Sequence, residues 1–278
     1  MPTQRSTSRS APSEFGARLR QWREARRMSQ LALAVEAEVS SRHLSFLETG
    51  RAQPSREMVL LLAGVLDVPL RDRNALLAAA GFVPIYRETP LRAPEMAHVR
   101  RALDFMLRQQ EPYPALVVDR RWNLLMQNAA AGRLFGPFLA DAPADDPPNV
   151  MRLTFHPRGF RPYITNWEAL AGPLVQQLHR DVGTDESTRA LLDELLASPN
   201  VPRQWRTPDP AAASAPLLSL ALEKGDFRVN LFTTIATLGT PQDVTLQELR
   251  VECFFPADEA TEALARRLAA SAAAPALS

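Results

Sequence analysis

Arginine is the residue of this sequence with the most evident chemistry. It supplies every formal positive charge except that of Lys224, and its planar guanidinium forms paired hydrogen bonds with phosphate oxygens or with guanine. Residues 1–90 contain 13 arginines and 9 acidic residues, whereas residues 91–278 contain 19 basic and 22 acidic residues. The positive excess in the first third of the chain therefore favours a polyanionic partner there.

The residue types that catalytic and metal sites need are few and scattered. The four histidines, at positions 43, 98, 156 and 179, lack metal-ligand spacing, and the chain has neither a Gly-rich phosphate loop nor a nucleophile elbow. A single cysteine, Cys253, excludes an internal disulfide and is typical of a small buried side chain. We therefore expect that the protein is not an enzyme and holds no metal and no cofactor. The alternative is a fused enzyme whose reactive residues cannot be recognised from the sequence.

Length and composition indicate a two-domain globular protein. A chain of 278 residues with 46% apolar and 23% charged residues can bury two cores, one of them small. No run of 18 apolar residues and no secretory signal is present, so we expect a cytoplasmic protein without a membrane partner. Residues 1–12 are polar and lack periodicity, and we expect them to form a disordered arm.

Five helical segments are predicted after this arm. Phe15, Leu19 and Trp22 have the spacing of one face of the first helix. Ser29 and Ser55 are suitable N-caps for the second and the fourth helix. The segments begin near residues 15, 30, 41, 56 and 71, and the last ends at Gly81. The connecting turns are too short to leave room for a sheet, so residues 13–81 predict an all-α bundle.

A longer motif runs through the second and third of these segments. The string SQLALAVEAEVSSRHLSFLETGRAQPS resembles the phage-repressor-like helix-turn-helix of the xenobiotic-response-element family. The matching positions are Ser29, Gln30, Leu33, Ala34, Val39, Ser40, Leu44, Ser45, Leu47, Glu48, Gly50 and Pro54. The chain departs from the family at Glu38, where the family has glycine and where a left-handed backbone would cost roughly 1 kcal/mol. The resemblance implies a DNA-binding transcription regulator.

The third segment then supplies the predicted DNA contacts, because a helix that begins at Ser41 can enter the major groove. The predicted base contacts are Ser41, Arg42, Ser45 and Phe46. The predicted phosphate contacts are Arg18, Gln30 and Arg51. The alternative is a helical bundle that has lost DNA binding and mediates protein contacts.

The rest of the chain predicts an α+β domain after a proline-rich connector, residues 82–97. Helices are expected at 99–108, 128–135, 167–182, 187–197 and 258–270, and strands at 115–119, 122–126, 216–222, 227–238 and 245–255, with a second proline-rich connection at 199–215. In the last strand, Arg250 and Glu252 alternate with apolar residues. This alternation is typical of an antiparallel sheet with one covered face.

Segments of this second part also resemble a known family. The strings GFVPIYRETPL, EPYPALVVDRRWNLLMQNAAAGRLF, NVMRLTF and TNWEAL are similar to the ligand-binding domain of MmyB-like regulators, whereas residues 200–278 match by hydrophobic pattern alone. The resemblance implies that residues 98–278 form a PAS-like sensor, in which helices flank a five-stranded antiparallel sheet. It also implies a fatty-acid-like ligand.

A pocket between such a sheet and its helices would be mainly apolar, with few polar anchors. The candidate lining residues are Trp122, Met126, Phe135, Trp167 and Phe232, each of which could instead be ordinary core. A buried anionic head group would need a partner, for which the candidates are Arg152, His156 and Arg228. Asn128 follows a predicted strand and precedes a helix, so it either caps that helix or bonds the ligand.

Two hypotheses about function follow. In the first, the protein is a transcription regulator that binds double-stranded DNA as a homodimer and senses a small apolar, fatty-acid-like ligand through its C-terminal domain. In the second, it is a constitutive DNA-binding repressor, and its C-terminal domain serves only for dimerisation or for binding a partner.

Overall fold

The computed structural model describes residues 13–182, 185–199, 201–209, 217–239 and 241–273. The predicted arm, residues 1–12, and part of the second proline-rich connection lie outside the described residues. The chain divides into two compact units. The first comprises the residues up to Thr89 together with the segment that ends at Gln247, and the second comprises the remainder. The division at residue 89 falls within the predicted connector.

The first unit is the predicted all-α bundle. Its helices are α1 (Glu14–Ala25), α2 (Gln30–Glu36), α3 (Ser41–Glu48), α4 (Arg56–Val65) and α5 (Leu70–Ala79). Side-chain oxygens of Ser29 and Ser55 accept hydrogen bonds from the N–H groups three residues on, at 3.0 and 3.2 Å, so both predicted N-caps are confirmed. Apolar side chains from all five helices form one buried core.

The turn between α2 and α3 has the backbone that the motif predicted. Glu38 has φ +54°, in the left-handed region that favours glycine. Gly50, after α3, has φ +73°, as expected for the residue that ends a helix. The strain predicted at Glu38 is therefore present, and the motif keeps its geometry without the glycine.

The second unit is the predicted α+β domain. It contains α6 (Ala97–Gln109), β1 (Ala115–Val118), β2 (Leu124–Gln127), α7 (Ala129–Phe135), α8 (Val150–Phe155), α9 (Trp167–Asp181), α10 (Glu186–Leu196), β3 (Leu218–Lys224) and β4 (Phe227–Ala236). The short helix α11 (Val244–Glu248) lies between β4 and β5 in sequence but belongs, up to Gln247, to the first unit. The second unit continues with β5 (Arg250–Pro256) and α12 (Glu259–Ala273). The five strands form one antiparallel sheet in the order β2-β1-β5-β4-β3.

The central strand β5 differs from its prediction in two ways. The predicted strand 245–255 is wrong at its start, because residues 244–248 form α11, where Asp243 Oδ1 accepts a hydrogen bond from the Thr245 N–H at 2.9 Å. The expectation of one covered face is also wrong. Val251 on one face and Glu252 and Phe254 on the other are each at most 5% exposed. A strand paired on both edges in mid-sheet can be covered on both faces.

Candidate functional site

Helix α3 is held by close packing against α1 near its C-terminal end and by a side-chain cap at its N-terminus. Leu44 and Leu47 are fully buried, and α1 approaches α3 so closely that a Cβ added at Gly16 would lie 2.5 Å from Leu47 O and 2.6 Å from Glu48 O. Glycine is therefore the residue that lets the two helix backbones touch. At the N-terminus of α3, Ser40 Oγ accepts a hydrogen bond from the His43 N–H at 3.1 Å.

A buried ion pair joins α1 to the other end of α3. Arg23 Nε and Nη2 donate to the two carboxylate oxygens of Glu48 at 2.6 and 2.9 Å, and Gln30 Nε2 donates to the same carboxylate at 2.7 Å. The hydrogen bonds with Glu48 raise the pKa of Arg23. We gave neither Arg23 nor Glu48 a role from the sequence. The available signal was that Glu48 lies on the same helical face as Leu44, one turn away.

The predicted DNA contacts of α3 lie on its accessible side. Ser41 and Arg42 are exposed, while Ser45 and Phe46 are half-buried. The guanidinium carbon of Arg42 lies 5.3 Å from the Phe46 ring centroid, and that of Arg51 lies 6.0 Å from it. One aromatic ring therefore lies beside both guanidinium groups, within the range of cation–π attraction.

The other predicted phosphate contacts have partners within the unit. Arg18 Nη2 lies 3.1 Å from Glu14 Oε1, one helical turn away on α1. The Gln30 side chain is bonded to Glu48, but Gln30 is the first residue of α2, where backbone N–H groups lack helical acceptors.

Two cavities lie in the second unit, on one face of the sheet. Their volumes are about 200 and 840 Å³, and we call them the inner and the outer cavity. The inner cavity is lined mainly by apolar side chains from the sheet and from α7 to α9. Its lining includes Leu116, Leu124, Phe135, Met151, Phe160, Leu170, Leu220 and Phe254. This apolar lining is typical of a small-molecule site, and the outer cavity, at about 840 Å³, has the volume of one.

The two cavities share five residues: Trp122, Leu174, Leu218, Thr233 and Glu252. Glu252 is 5% exposed, and burial raises its pKa to about 7, against smaller opposing effects of a hydrogen bond with Thr233 and the charge of Arg250. Strand alternation had placed Glu252 opposite the expected core face. Its position at the cavity follows from the coverage of both faces of β5.

Trp122 lies in a tight turn between β1 and β2. Its backbone is left-handed, with φ +64°, which is rare for a bulky residue. Asp119 Oδ1 accepts hydrogen bonds from the N–H groups of Arg121 and Asn123 at 2.8 and 2.9 Å, and these bonds support the turn. The indole Nε1–H is buried and has no acceptor among the described residues.

Of the nine predicted ligand residues, the structure brings Trp122 and Phe135 to the cavities. The described lining does not include Met126, Asn128, Arg152, His156, Trp167, Arg228 or Phe232. Asn128 is the N-cap of α7, where its Oδ1 accepts from the Ala131 N–H at 3.0 Å. Phe232 stacks on Phe255, on the sheet face opposite Thr233 and Glu252.

The cationic head-group candidates are occupied elsewhere. Arg152 pairs with Glu194 at 2.9 Å, and Arg228 pairs with Glu223 at 3.0 Å on an exposed part of the sheet. His156 Nδ1 accepts a hydrogen bond from the Arg158 N–H at 3.0 Å. Trp167 packs edge-on against Phe155. Among the described residues, no group of three or more His, Cys, Asp or Glu side chains could hold a metal ion.

Within the described part of the chain, no helix has the length and apolar character needed to cross a membrane.

Comparison with known proteins gives both units relatives. Residues 14–76 match a helix-turn-helix domain model. The HTH-type transcriptional regulator RghRB of Bacillus subtilis (strain 168) is 38% identical over 84 residues, which span 30% of this chain and 58% of that protein. An RNA-binding light-oxygen-voltage receptor aligns with 94% of this chain and 63% of its own, at 12% identity and a TM-score of 0.26. An alignment at that score supports no statement about fold.

The second unit gives the more extensive match, since residues 99–268 match the model described as the MmyB-like transcription regulator ligand binding domain. This match covers more than half of the chain and most of the second unit. The protein therefore belongs to the MmyB-like transcription regulators, with a helix-turn-helix domain and a separate ligand-binding domain.

Proposed function

We propose that the protein is a sequence-specific regulator that inserts α3 into the major groove of its operator. The observation that carries this proposal is the exposed Arg42 in the first turn of a helix whose opposite side is buried. Arg42 would bond guanine, with Ser41, Ser45 and Phe46 contacting neighbouring base edges. Arg18, Arg51 and the Gln30 backbone would bind phosphates and fix the register.

Substitution of two arginines beside the same ring tests these roles. Arg42→Ala should lower affinity for the operator by about 1–3 kcal/mol and relax base preference, since a bidentate base contact is lost. Arg51→Ala should weaken binding to all DNA sequences by the same factor. It should also reduce the salt dependence of the affinity by the amount expected for about one phosphate contact. Fluorescence anisotropy on a selected operator and on unrelated DNA, over a salt series, measures both.

Arg266→Ala, an exposed α12 substitution, is the matched control and should leave both affinities unchanged. Equal losses by Arg42→Ala on operator and unrelated DNA would contradict its assignment to a base.

The regulator would act as a homodimer on chromosomal DNA in the cytoplasm. One recognition helix buries little DNA surface, and a two-fold dimer addresses two half-sites about one helical turn apart. A two-fold-symmetric footprint, with a dimer mass by sedimentation, is the expected result.

The ligand-binding domain would sense a small apolar, fatty-acid-like molecule held in the inner and outer cavities, with Trp122 and Phe135 in contact with its chain. The apolar lining of the inner cavity and the volume of the adjoining outer cavity support this ligand class. We also propose that the domain is PAS-like, which its five-stranded antiparallel sheet and the helices around it support. Binding would change the affinity of the dimer for its operator.

Native mass spectrometry of the purified protein, followed by denaturing extraction, tests for the ligand. An added mass that matches a fatty-acid-like molecule supports a sensor. A ligand-free dimer that binds none of the added lipids would favour the second function, a constitutive repressor with a dimerisation module. The exposed Phe105 and Met106 on α6, at 59% and 39%, favour that function as a surface for a second copy.

A further inference from the structure

Three polar side chains lie where the two cavities meet: two hydrogen-bond donors and one carboxyl group that can be protonated. Trp122, Thr233 and Glu252 line both cavities. Thr233 bonds the Glu252 carboxyl group. The buried indole Nε1–H of Trp122 has no acceptor among the described residues. An unpaired buried N–H is costly, so a ligand oxygen at this place would gain from meeting it.

The charged groups around Glu252 do not offer it a hydrogen-bonded cation. Arg250, on the same strand, donates from Nη1 to Asp181 Oδ2 of α9 at 2.7 Å, and its guanidinium carbon lies 5.1 Å from the Trp122 ring centroid. Arg180 and Asp209 line the outer cavity. A positively charged ligand would meet the Trp122 N–H donor and would lie near the charge of Arg250 against the Trp122 ring, and both are unfavourable to it.

A carboxylate ligand also meets an obstacle at this place. The Glu252 carboxyl group carries the same charge as the ligand when both are ionised, and the predicted partners Arg152 and Arg228 pair with Glu194 and Glu223 instead. Two carboxyl groups that share an apolar site hold one proton between them, because both cannot ionise at low cost. A carboxylate ligand would therefore share the proton that Glu252 already holds, and it would draw a proton from solvent only where Glu252 is ionised before binding.

We propose that Trp122, Thr233 and Glu252 form the head-group site of this domain, and that protonated Glu252 and the Trp122 indole donate to an uncharged or proton-sharing oxygen at the end of an apolar chain. A ketone, an ester and a carboxylic acid all offer this oxygen. An alkylamine does not. The inference rests on the proposed binding of an apolar ligand and adds the chemistry of its head group.

Calorimetric titration of the full chain with 2-decanone, decanoic acid and decylamine at pH 6 and pH 8 tests the proposal. The affinity for 2-decanone should fall about tenfold from pH 6 to pH 8, because the protonated fraction of a group with a pKa of about 7 falls by that factor. Decanoic acid should bind with uptake of close to one proton at pH 8, measured in two buffers of different ionisation enthalpy. Decylamine should bind more weakly than 2-decanone at both pH values.

Two variants assign the pH dependence to this site. Glu252→Gln keeps an N–H donor and cannot titrate, so its affinity for 2-decanone should be the same at both pH values. Trp122→Phe keeps an apolar ring without the N–H, so it should lose affinity severalfold but keep the pH dependence. Glu223→Gln, an exposed position of β3, is the matched control and should behave as the original protein does.

Three other outcomes would contradict the proposal, and they distinguish failure of the head-group site from failure of the proposed ligand class. If 2-decanone binds equally at both pH values, the head-group assignment is wrong while the apolar ligand stands. If decylamine binds most tightly and prefers pH 8, Glu252 acts as a carboxylate counter-ion. If no probe binds at either pH, the proposed ligand class fails, and the head-group site fails with it. The pH series on the unchanged protein decides these cases even if a variant does not fold.

Discussion

At the scale of single residues, the two buried glutamates show how partners decide the state of a charge. Glu48 receives two hydrogen bonds from Arg23 and one from Gln30, so its negative charge is matched inside the first unit. Glu252 receives one from Thr233, while Arg250 is bonded to Asp181. Burial then dominates for Glu252, and the protonated form is the one that the fold stabilises.

This difference predicts a pH-dependent stability. The pKa of Glu252 is raised by folding from its usual 4.5 to about 7, so the folded state keeps the proton that the unfolded chain loses. The free energy of unfolding of the original protein should therefore fall by about 3 kcal/mol, relative to that of Glu252→Gln, as the pH rises from about 4.5 to about 7. It should not change further above that range.

Urea unfolding from pH 4 to pH 8, followed by circular dichroism, measures this difference. Glu223→Gln serves as the control, because that side chain is exposed. A constant difference between the original protein and Glu252→Gln over the whole range would show that Glu252 does not gain a proton on folding.

At the scale of elements, the position of α3 depends on the turn before it and on the helix behind it. Glu38 holds the left-handed turn at a cost that glycine would avoid. Gly16 lets α1 touch the backbone of α3, and the Arg23–Glu48 pair joins the same two helices. The exposed face with Arg42 is thus presented by a closely packed pair of helices.

The strained turn predicts a stabilising substitution. Glu38→Gly should raise the free energy of unfolding of the first unit by up to about 0.5 kcal/mol, the roughly 1 kcal/mol of strain relieved less the added flexibility of glycine. Glu36→Gly, two residues earlier and within α2, should instead lower it by about 1 kcal/mol. Thermal unfolding of the two variants measures both changes in stability. If both variants are less stable than the original protein, the turn carries no such strain.

At the scale of the whole molecule, the chain passes between the units more than once. The segment of residues 241–247 lies in sequence between β4 and β5 but belongs to the first unit. Within that unit, Asp243 accepts hydrogen bonds from Thr89 N and Thr89 Oγ1, at 3.2 and 2.7 Å, and Gln247 Oε1 accepts one from Leu70 N at 2.7 Å. The strands that carry Thr233 and Glu252 are thus joined covalently to a segment of the first unit.

Loss of Asp243 should loosen this segment. Asp243→Ala removes a charged acceptor from Thr89 and from Thr245, so we expect about 2 kcal/mol less stability in the first unit and faster hydrogen exchange near Thr89 and Val244. Asp226→Ala, in the exposed turn before β4, is the control and should change neither. Unchanged exchange near Thr89 in Asp243→Ala would show that these bonds do not hold the segment.

The sequence by itself determined the features that depend on neighbours along the chain. Serine caps, helical spacing and the helix-turn-helix motif are local, so Ser29, Ser55, the helix at Ser41 and the unfavourable turn at Glu38 could all be predicted. The class of the second domain followed from its strand-like runs and its family resemblance. Five antiparallel strands with helices around them are what the structure contains.

Only the tertiary structure decided which distant residues meet and how deeply they are buried. Arg23 and Glu48 are 25 positions apart, and their pairing depends on how α1 packs on α3. Pairing of β5 with both β1 and β4 makes it the central strand, so Glu252, which strand alternation had assigned to an open face, lies at a cavity instead. Side-chain periodicity shows which residues share a face, but the partners of that face are set by long-range pairing.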